Sequence, residues 1–509
     1  VRSRALVAAL ILTACSGGTP VGDNRTGSSD APASSSASSA STAPIAPAAW
    51  PTAGRDLANT RANLDSRITA SNVASLTTMW RLDLPDAGSL ATTPIVDKGT
   101  VYVAGGTGRV FAVDAGTGTV TWTSEPTGFN IGPFGVAVDE QRVYALDGSA
   151  GVVALDKTNG TKLWSSDVTA TPSTGIDIQP IVVDGLVIVS SVPVSISGIY
   201  TPGDHGVVTA LDAATGAVRW TFDTVDGDLW GHPEVNSGGG AWYPPAVDRD
   251  RRLVYVGVAN PAPFPGTAEW PNGSSRPGPN LYTDSVVALD LHSGALRWYH
   301  QVTPHDLFDR DQVHTLIADG AGEDTVVSAG KSGVLVGVDP DTGEERWRTA
   351  VGVHANDGLD ALPGPTDIAP GTYGGILTPP AYADGVVYAA VINAPTTLKP
   401  DETAYFGAQF GQQPGDVVAV DARDGHVLWS TPVPGDPLGG ATVVGNLVWT
   451  ALLDGTVVAL RRRDGAILQQ FSAGGGVNGW MAALDDRLLI PVGASNPPAL
   501  LALGLPPSS

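Results

Sequence analysis

The chain of 509 residues sets 28 Lys and Arg against 51 Asp and Glu, a formal net charge of −23, with 42% hydrophobic residues. So acidic a chain has no cationic stripe for neutralising phosphates, which excludes nucleic-acid binding as its main function. Its single Cys excludes a disulfide framework, a Cys-based zinc site, an iron–sulfur cluster and a covalently attached c-type haem.

In chain order, Arg2 and Arg4 precede a short apolar run, Ala5 to Leu12, that ends in Thr13, Ala14 and Cys15. The run is too short to span a bilayer. It resembles a bacterial lipoprotein signal over 1–15, which implies lipidation of Cys15 and an extracytoplasmic protein held on the cell membrane by its lipid, or secreted if that signal is not used. Residues 16–48 are Ser, Ala, Pro, Gly and Thr with hardly a large apolar side chain. They are expected to form a disordered tether, because they cannot bury enough surface to offset their ordering entropy.

Residues 49–509 are built on a repeat. An apolar strand ends in Asp, a Gly follows four residues later, and a Trp four residues after that: Asp114/Gly118/Trp122, Asp156/Gly160/Trp164, Asp212/Gly216/Trp220, Asp290/Gly294/Trp298, Asp339/Gly343/Trp347 and Asp421/Gly425/Trp429. A seventh copy, Arg461/Gly465/Gln469, is degenerate. The Asp is expected to bond turn amides, the Gly to supply positive φ, and the Trp to pack on the outgoing strand. A further apolar run such as Val101–Ala104 lies upstream of most copies, giving about four strands per unit. A period near 40 residues, lengthened by insertions, marks four-stranded propeller blades. Met79–Leu84 is a closing strand with no strands before it, while Met481–Leu484, Leu488–Val492 and Ala499–Leu503 lack a closing strand. The predicted fold is therefore all-β: an eight-bladed β-propeller of four-stranded blades, its ring closed by shared N- and C-terminal strands.

Trp242 precedes one strand and Asn260 follows the returning strand, so a hairpin turning at Asp248–Arg252 delivers both to one rim. Asp309 stands 49 residues beyond Asn260, the same step as Trp298 to Trp347, and so is expected at the equivalent place one blade along. Amide and carboxylate oxygens suit Ca²⁺ or a lanthanide, and an aromatic face beside a Lys suits a planar anion. Trp50–Arg61, Gly238–Trp242, Val258–Phe264, Pro279–Ser285, Thr303–Asp309 and Lys331–Val334 together resemble the PQQ-dependent (quinoprotein) alcohol dehydrogenases over roughly 50–505, closest to the polyvinyl-alcohol-dehydrogenase-like branch.

That resemblance implies pyrroloquinoline quinone (PQQ) on Trp242 and Lys331, a Ca²⁺ or lanthanide on Asn260 and Asp309, and Asp309 as the base, ionised beside the cation. Asp311 resembles the additional carboxylate of lanthanide-using members. It implies a small or polymeric alcohol or sugar as substrate and, without a haem motif, a separate electron acceptor. Three positions depart from the family. Val192–His205 lacks its metal-ligating Glu, for which Glu234 is the replacement candidate; no vicinal disulfide can roof the quinone, leaving Phe134 as a hydrophobic roof; and Leu438 stands where some members carry a Trp. The rival reading is a non-catalytic propeller lipoprotein that binds protein or polysaccharide on its rim, as outer-membrane assembly scaffolds do.

Overall fold

The computed structural model describes residues 49–506 apart from 131, 149, 170–174, 194–199, 321–322 and 404–412. Cys15 and the 16–48 tether lie outside the described residues. Eight four-stranded antiparallel sheets form the blades. Their innermost strands are, in ring order, Ile95–Asp97, Val136–Val138, Ile181–Val183, Ala246–Asp248, His314–Ala318, Ala381–Ala383, Thr442–Val444 and Ala482–Ala483. These belong to blades 1 to 8. The two middle strands of each blade are short runs of Val, Ala, Leu and Ile buried on both faces, while the outermost strands alternate in exposure. Blade 8 joins Ala482–Ala483, Arg487–Val492 and Ala499–Gly504 to Thr77–Asp83, with Thr77 paired to Gly504 and Asp83 to Ala499. The two ends of the chain thus close the ring in one sheet.

The repeat works across blades. Each turn Gly holds φ between 69° and 76°, and the Asp before it accepts from turn amides, as Asp290 does from Ser293 N at 3.0 Å. The Trp does not pack on its own outgoing strand. An irregularity in the outer pairing inserts one extra residue just before it, Arg219 before Trp220 for example, and such a bulge re-aims the side chain. Seven Trp rings therefore swing onto the next blade. There each Nε1–H donates at 2.8–3.2 Å to the carbonyl after the turn Asp, or after Arg461 in the degenerate copy, from Trp80 to Ala115 round to Trp429 to Arg462. The ring sits over the turn Gly, where a Cβ would come within 2.5–2.6 Å of the indole at Gly118, Gly160, Gly216 and Gly294.

Gln469 breaks the series for a structural reason. The neighbour of blade 7 is blade 8, whose two outer strands come from opposite chain ends. No turn joins them, so an indole at 469 would have no seat.

Residues 50–67 bind the inner strands together. Trp50 bridges to Val96, and Leu57, Ala58, Thr60 and Arg61 accept from the amides of Val247, Ile317, Tyr382 and Val443. Ala62–Asn63 adds a parallel strand to blade 7. Arg61 is buried and donates to the carbonyls of Ala53, Ala441 and Met481 and to Thr442 Oγ1; burial pushes its guanidinium down to about 9.

Candidate active site

Within each blade the chain runs up the first strand, down the second, up the third and down the fourth. Loops between second and third strands therefore emerge on the same face as the connections to the next blade. Asp177, Trp242, Asp309, Asp311 and Tyr373 lie on inter-blade connections, and Tyr200, Asn260 and Lys331 on loops after second strands.

Lys331 is the hub. Its Nζ lies 2.9 Å from Asp309 Oδ2 and 2.6 Å from Asp311 Oδ2, with all three side chains buried. The ammonium also stands 5.6 Å from the ring centre of Trp242 and 5.9 Å from that of Tyr373. Asp311 Oδ1 accepts from Asn260 N at 2.9 Å, which ties the Asn260 loop to the Asp309 loop. Asp309 and Asp311 both have positive φ, 65° and 35°, an uncommon state for non-Gly residues that turns both carboxylates onto the Lys. The structure thus brings Trp242, Asn260, Asp309, Asp311 and Lys331 together.

Under the half-buried Trp242 lies an aromatic floor. Tyr243 is 4.6 Å from Trp242, 3.9 Å from His314 and 4.8 Å from Trp480, ring centre to ring centre. Burial drives the His314 imidazole down to about 3, so the floor is uncharged. The Gly238–Gly240 lead-in lets this loop press against its partner: a Cβ on Gly238 would lie 2.6 Å from Asn260 O, at a φ of 130°.

Sequence reasoning missed two members. Asp177, from the connection into blade 3, has its carboxyl pushed well above the usual range by burial and by Asp311, with Lys331 opposing. Gly132 makes room for it, since a Cβ there would lie 2.6 Å from Asp177 Oδ2. Tyr200 donates to Asn260 Oδ1 at 2.9 Å. It stands in the very segment, Val192–His205, that has no Glu; 194–199 lie outside the described residues.

The chemistry of the donor set fits a hard cation. Asn260 Oδ1 retains a lone pair after accepting from Tyr200, and Asp309 Oδ1 and Asp177 Oδ1 are buried without a hydrogen-bond partner. Oxygen donors with surplus negative charge select Ca²⁺-like or trivalent ions. Among the described residues no three His, Cys, Asp or Glu side chains form a metal cluster by themselves, so the amide of Asn260 is integral to the set. A planar polyanion fits the Trp242 face beside the Lys331 ammonium.

Two expectations are corrected. Glu234 is exposed and pairs with His232 at 2.9 Å, outside the buried cluster; Asn236, two residues on, is locked to Leu229 O and Ser275 O. Phe134 is fully buried in the core shared by blades 1 to 3 and is no roof. Leu438 is partly buried on the connection into blade 7.

A model of the glucose/ethanol/alcohol dehydrogenase β-propeller domain matches residues 170–348, and one of outer membrane protein assembly factor BamB matches 64–192 and 283–487. The quinohemoprotein alcohol dehydrogenase of Comamonas testosteroni is 27% identical, over 84% of this chain and 70% of its own. Its crystal structure superposes with a TM-score of 0.76 at 24% identity, covering 91% of this chain and 81% of that one. The quinoprotein alcohol dehydrogenase PedH of Pseudomonas putida is also 27% identical, over 81% of this chain and 80% of its own. A europium-containing methanol dehydrogenase gives a TM-score of 0.72 at 20% identity, over 90% of this chain and 98% of that one.

Proposed function

This chain belongs to the PQQ-dependent (quinoprotein) alcohol dehydrogenase family, oxidoreductases that act on alcohols with PQQ and Ca²⁺ or a lanthanide, and we propose that it oxidises an alcohol or sugar hydroxyl outside the cytoplasm. The observation that carries this reading is the buried Asp309–Lys331–Asp311 group set against the Trp242 face.

When bound, the quinone would supply a hydride acceptor and the cation Lewis acidity. Trp242 and its floor of Tyr243 orient the flat cofactor. Asn260, Asp309, Asp311 and Asp177 offer the cation its oxygens. Lys331 holds Asp309 Oδ2, which leaves Asp309 Oδ1 as the atom that accepts the substrate hydroxyl proton. The same ammonium stabilises negative charge developing beside it. The reducing equivalents would need an electron acceptor, for which a separate partner is the proposal.

The rival reading, a binding scaffold, has the BamB match behind it. That match skips 193–282, the stretch holding Tyr200, Trp242 and Asn260, whereas the dehydrogenase match spans 170–348 and so runs from Asp177 to Lys331. The difference supports the enzyme. The Arg2–Cys15 signal supports lipid anchoring through Cys15 behind a 16–48 tether. The test is reconstitution of the full chain with PQQ plus Ca²⁺ or La³⁺, then dye reduction across a panel of alcohols and sugars. Cofactor-dependent reduction is expected with at least one metal; none with either would return the scaffold.

A further inference from the structure

The two arms of the Asn260–Trp242 hairpin continue beyond the site. Ser237–Gly238 pairs with Pro261–Ala262 as a short ribbon directly after Asn260. Asn236 and Ser275, both fully buried, lock the next level: Asn236 Nδ2 donates to Leu229 O and Ser275 O, and Ser275 Oγ donates to Asn236 Oδ1 at 2.6 Å. What this rigid base presents at its tip takes no part in the chemistry described above.

At the tip, His232 and Trp270 lie ring against ring, 4.6 Å apart and tilted by 43°. His232 stands ten residues before Trp242 and Trp270 ten after Asn260, and the loop after Trp270 packs on the connection that carries Asp309: Arg276 Nη2 donates to Asp306 O, and a Cβ on Gly273 would lie 3.0 Å from Leu307 Cδ2. Both rings are half-buried, and exposed Glu234 bonds His232 Nδ1 at 2.9 Å. That bond holds the Glu234 carboxyl below its ordinary range. The backbone is strained to hold the pair up: Leu229 and Trp230 have φ of 43° and 58°, and Asn272, beside Trp270, has 52°. Leu and Trp rarely adopt positive φ, and such backbone clusters at binding sites. Trp230 Nε1 pins this turn by donating to Leu281 O at 3.1 Å.

A partly exposed indole set against an imidazole that bonds a carboxylate recognises a particular chemistry. The C–H face of a pyranose stacks on the aromatic ring, and the carboxylate accepts from ring hydroxyls. A simple aliphatic alcohol has neither the flat face nor the second hydroxyl. We propose that His232, Glu234 and Trp270 form a subsite at the mouth that stacks a pyranose ring, so that the substrate class of the site is a polyhydroxylated ring. The substrate half of this statement rests on the dehydrogenase reading; the binding half does not.

The experiment therefore has two arms. In the first, methyl β-D-glucopyranoside, which has no reducing end, is titrated calorimetrically into the full chain without cofactor. Saturable binding is expected, weakened about fivefold to tenfold by Trp270→Ala or Glu234→Gln, and retained within about twofold by Trp270→Phe, which keeps a ring and controls for folding. No saturable binding to the wild type, or equal binding by Trp270→Ala, overturns the subsite. In the second arm, the reconstituted protein should show a KM for the glucoside raised by those substitutions, with kcat and KM for 1-butanol unchanged. A KM for 1-butanol raised equally would overturn the assignment to ring substrates. Absence of dye reduction with every alcohol would instead overturn the dehydrogenase reading and leave the first arm to decide the subsite.

Discussion

Asp309 and Asp284 are buried acids with opposite expectations. Burial pushes the Asp309 carboxyl well above the ordinary range, Lys331 pulls it down, and Asp311 pushes it up again. A cation among the neighbouring oxygens adds to the pull of Lys331 and favours the ionised base. Asp309→Asn keeps the shape but cannot take a proton, so cofactor-dependent dye reduction should fall by about 10²–10⁴-fold with little change in melting. Wild-type turnover in that variant would remove Asp309 as the base. Asp284 is fully buried with both oxygens unpartnered, its carboxyl raised by burial and then by Asp306. A folded-state pKa above the unfolded value gives stability that is greatest below the unfolded pKa and declines as pH rises towards the folded one. In chelator, Asp284→Asn should match wild type near pH 3.5 and exceed it by roughly 1–3 kcal/mol at pH 7, read from denaturant melts; a gain independent of pH would refute the charge explanation. Trp242 and Asn260 were legible in the sequence as the two ends of one hairpin and Asp309 as one blade step beyond, while Asp311 and Lys331 were legible only through the family resemblance. Asp177 and Tyr200 arrive from blade 3 with no spacing relation to announce them, and nearness to Trp242 said nothing about where Glu234 points.

The single blade was legible in part. Asp, Gly and Trp at fixed offsets identified strand, turn and strand, because turn amides and positive φ leave a residue-level signature. The direction of the Trp left none, since one inserted residue before it reverses which neighbour it meets. The consequence is that each turn Gly serves two blades. Gly294 holds φ of 69° and supports Trp220 of the preceding blade, whose Cε3 would lie 2.5 Å from an added Cβ. Gly294→Ala should therefore lower stability by about 2 kcal/mol or more, in denaturant melts, from backbone and steric strain together. Gly185 offers the control, with φ of 76° and nothing within 4 Å of an added Cβ. Its Ala variant should lose less, and equal losses would show that the inter-blade seat contributes nothing.

Across the whole molecule, the ring depends on contacts between residues far apart in sequence. Deleting 75–85 removes the outer strand of blade 8 and the indole of Trp80 that docks on Ala115, so an edge opens and the melting transition should fall or broaden. An unchanged transition would mean that the shared blade does not hold the ring. Deleting 1–48 should leave melting as it was, because the four strands of every blade lie within 77–504.

The absent turn of blade 8 also marks the seam of the ring. Thr77 and Gly504 are paired neighbours, yet residues 50–76 precede Thr77 and tie the inner strands together, so a turn built between the two would cost the ring that brace. Gln469→Trp therefore gains no seat. The seam is written into the sequence by one glutamine where the other blades carry an indole.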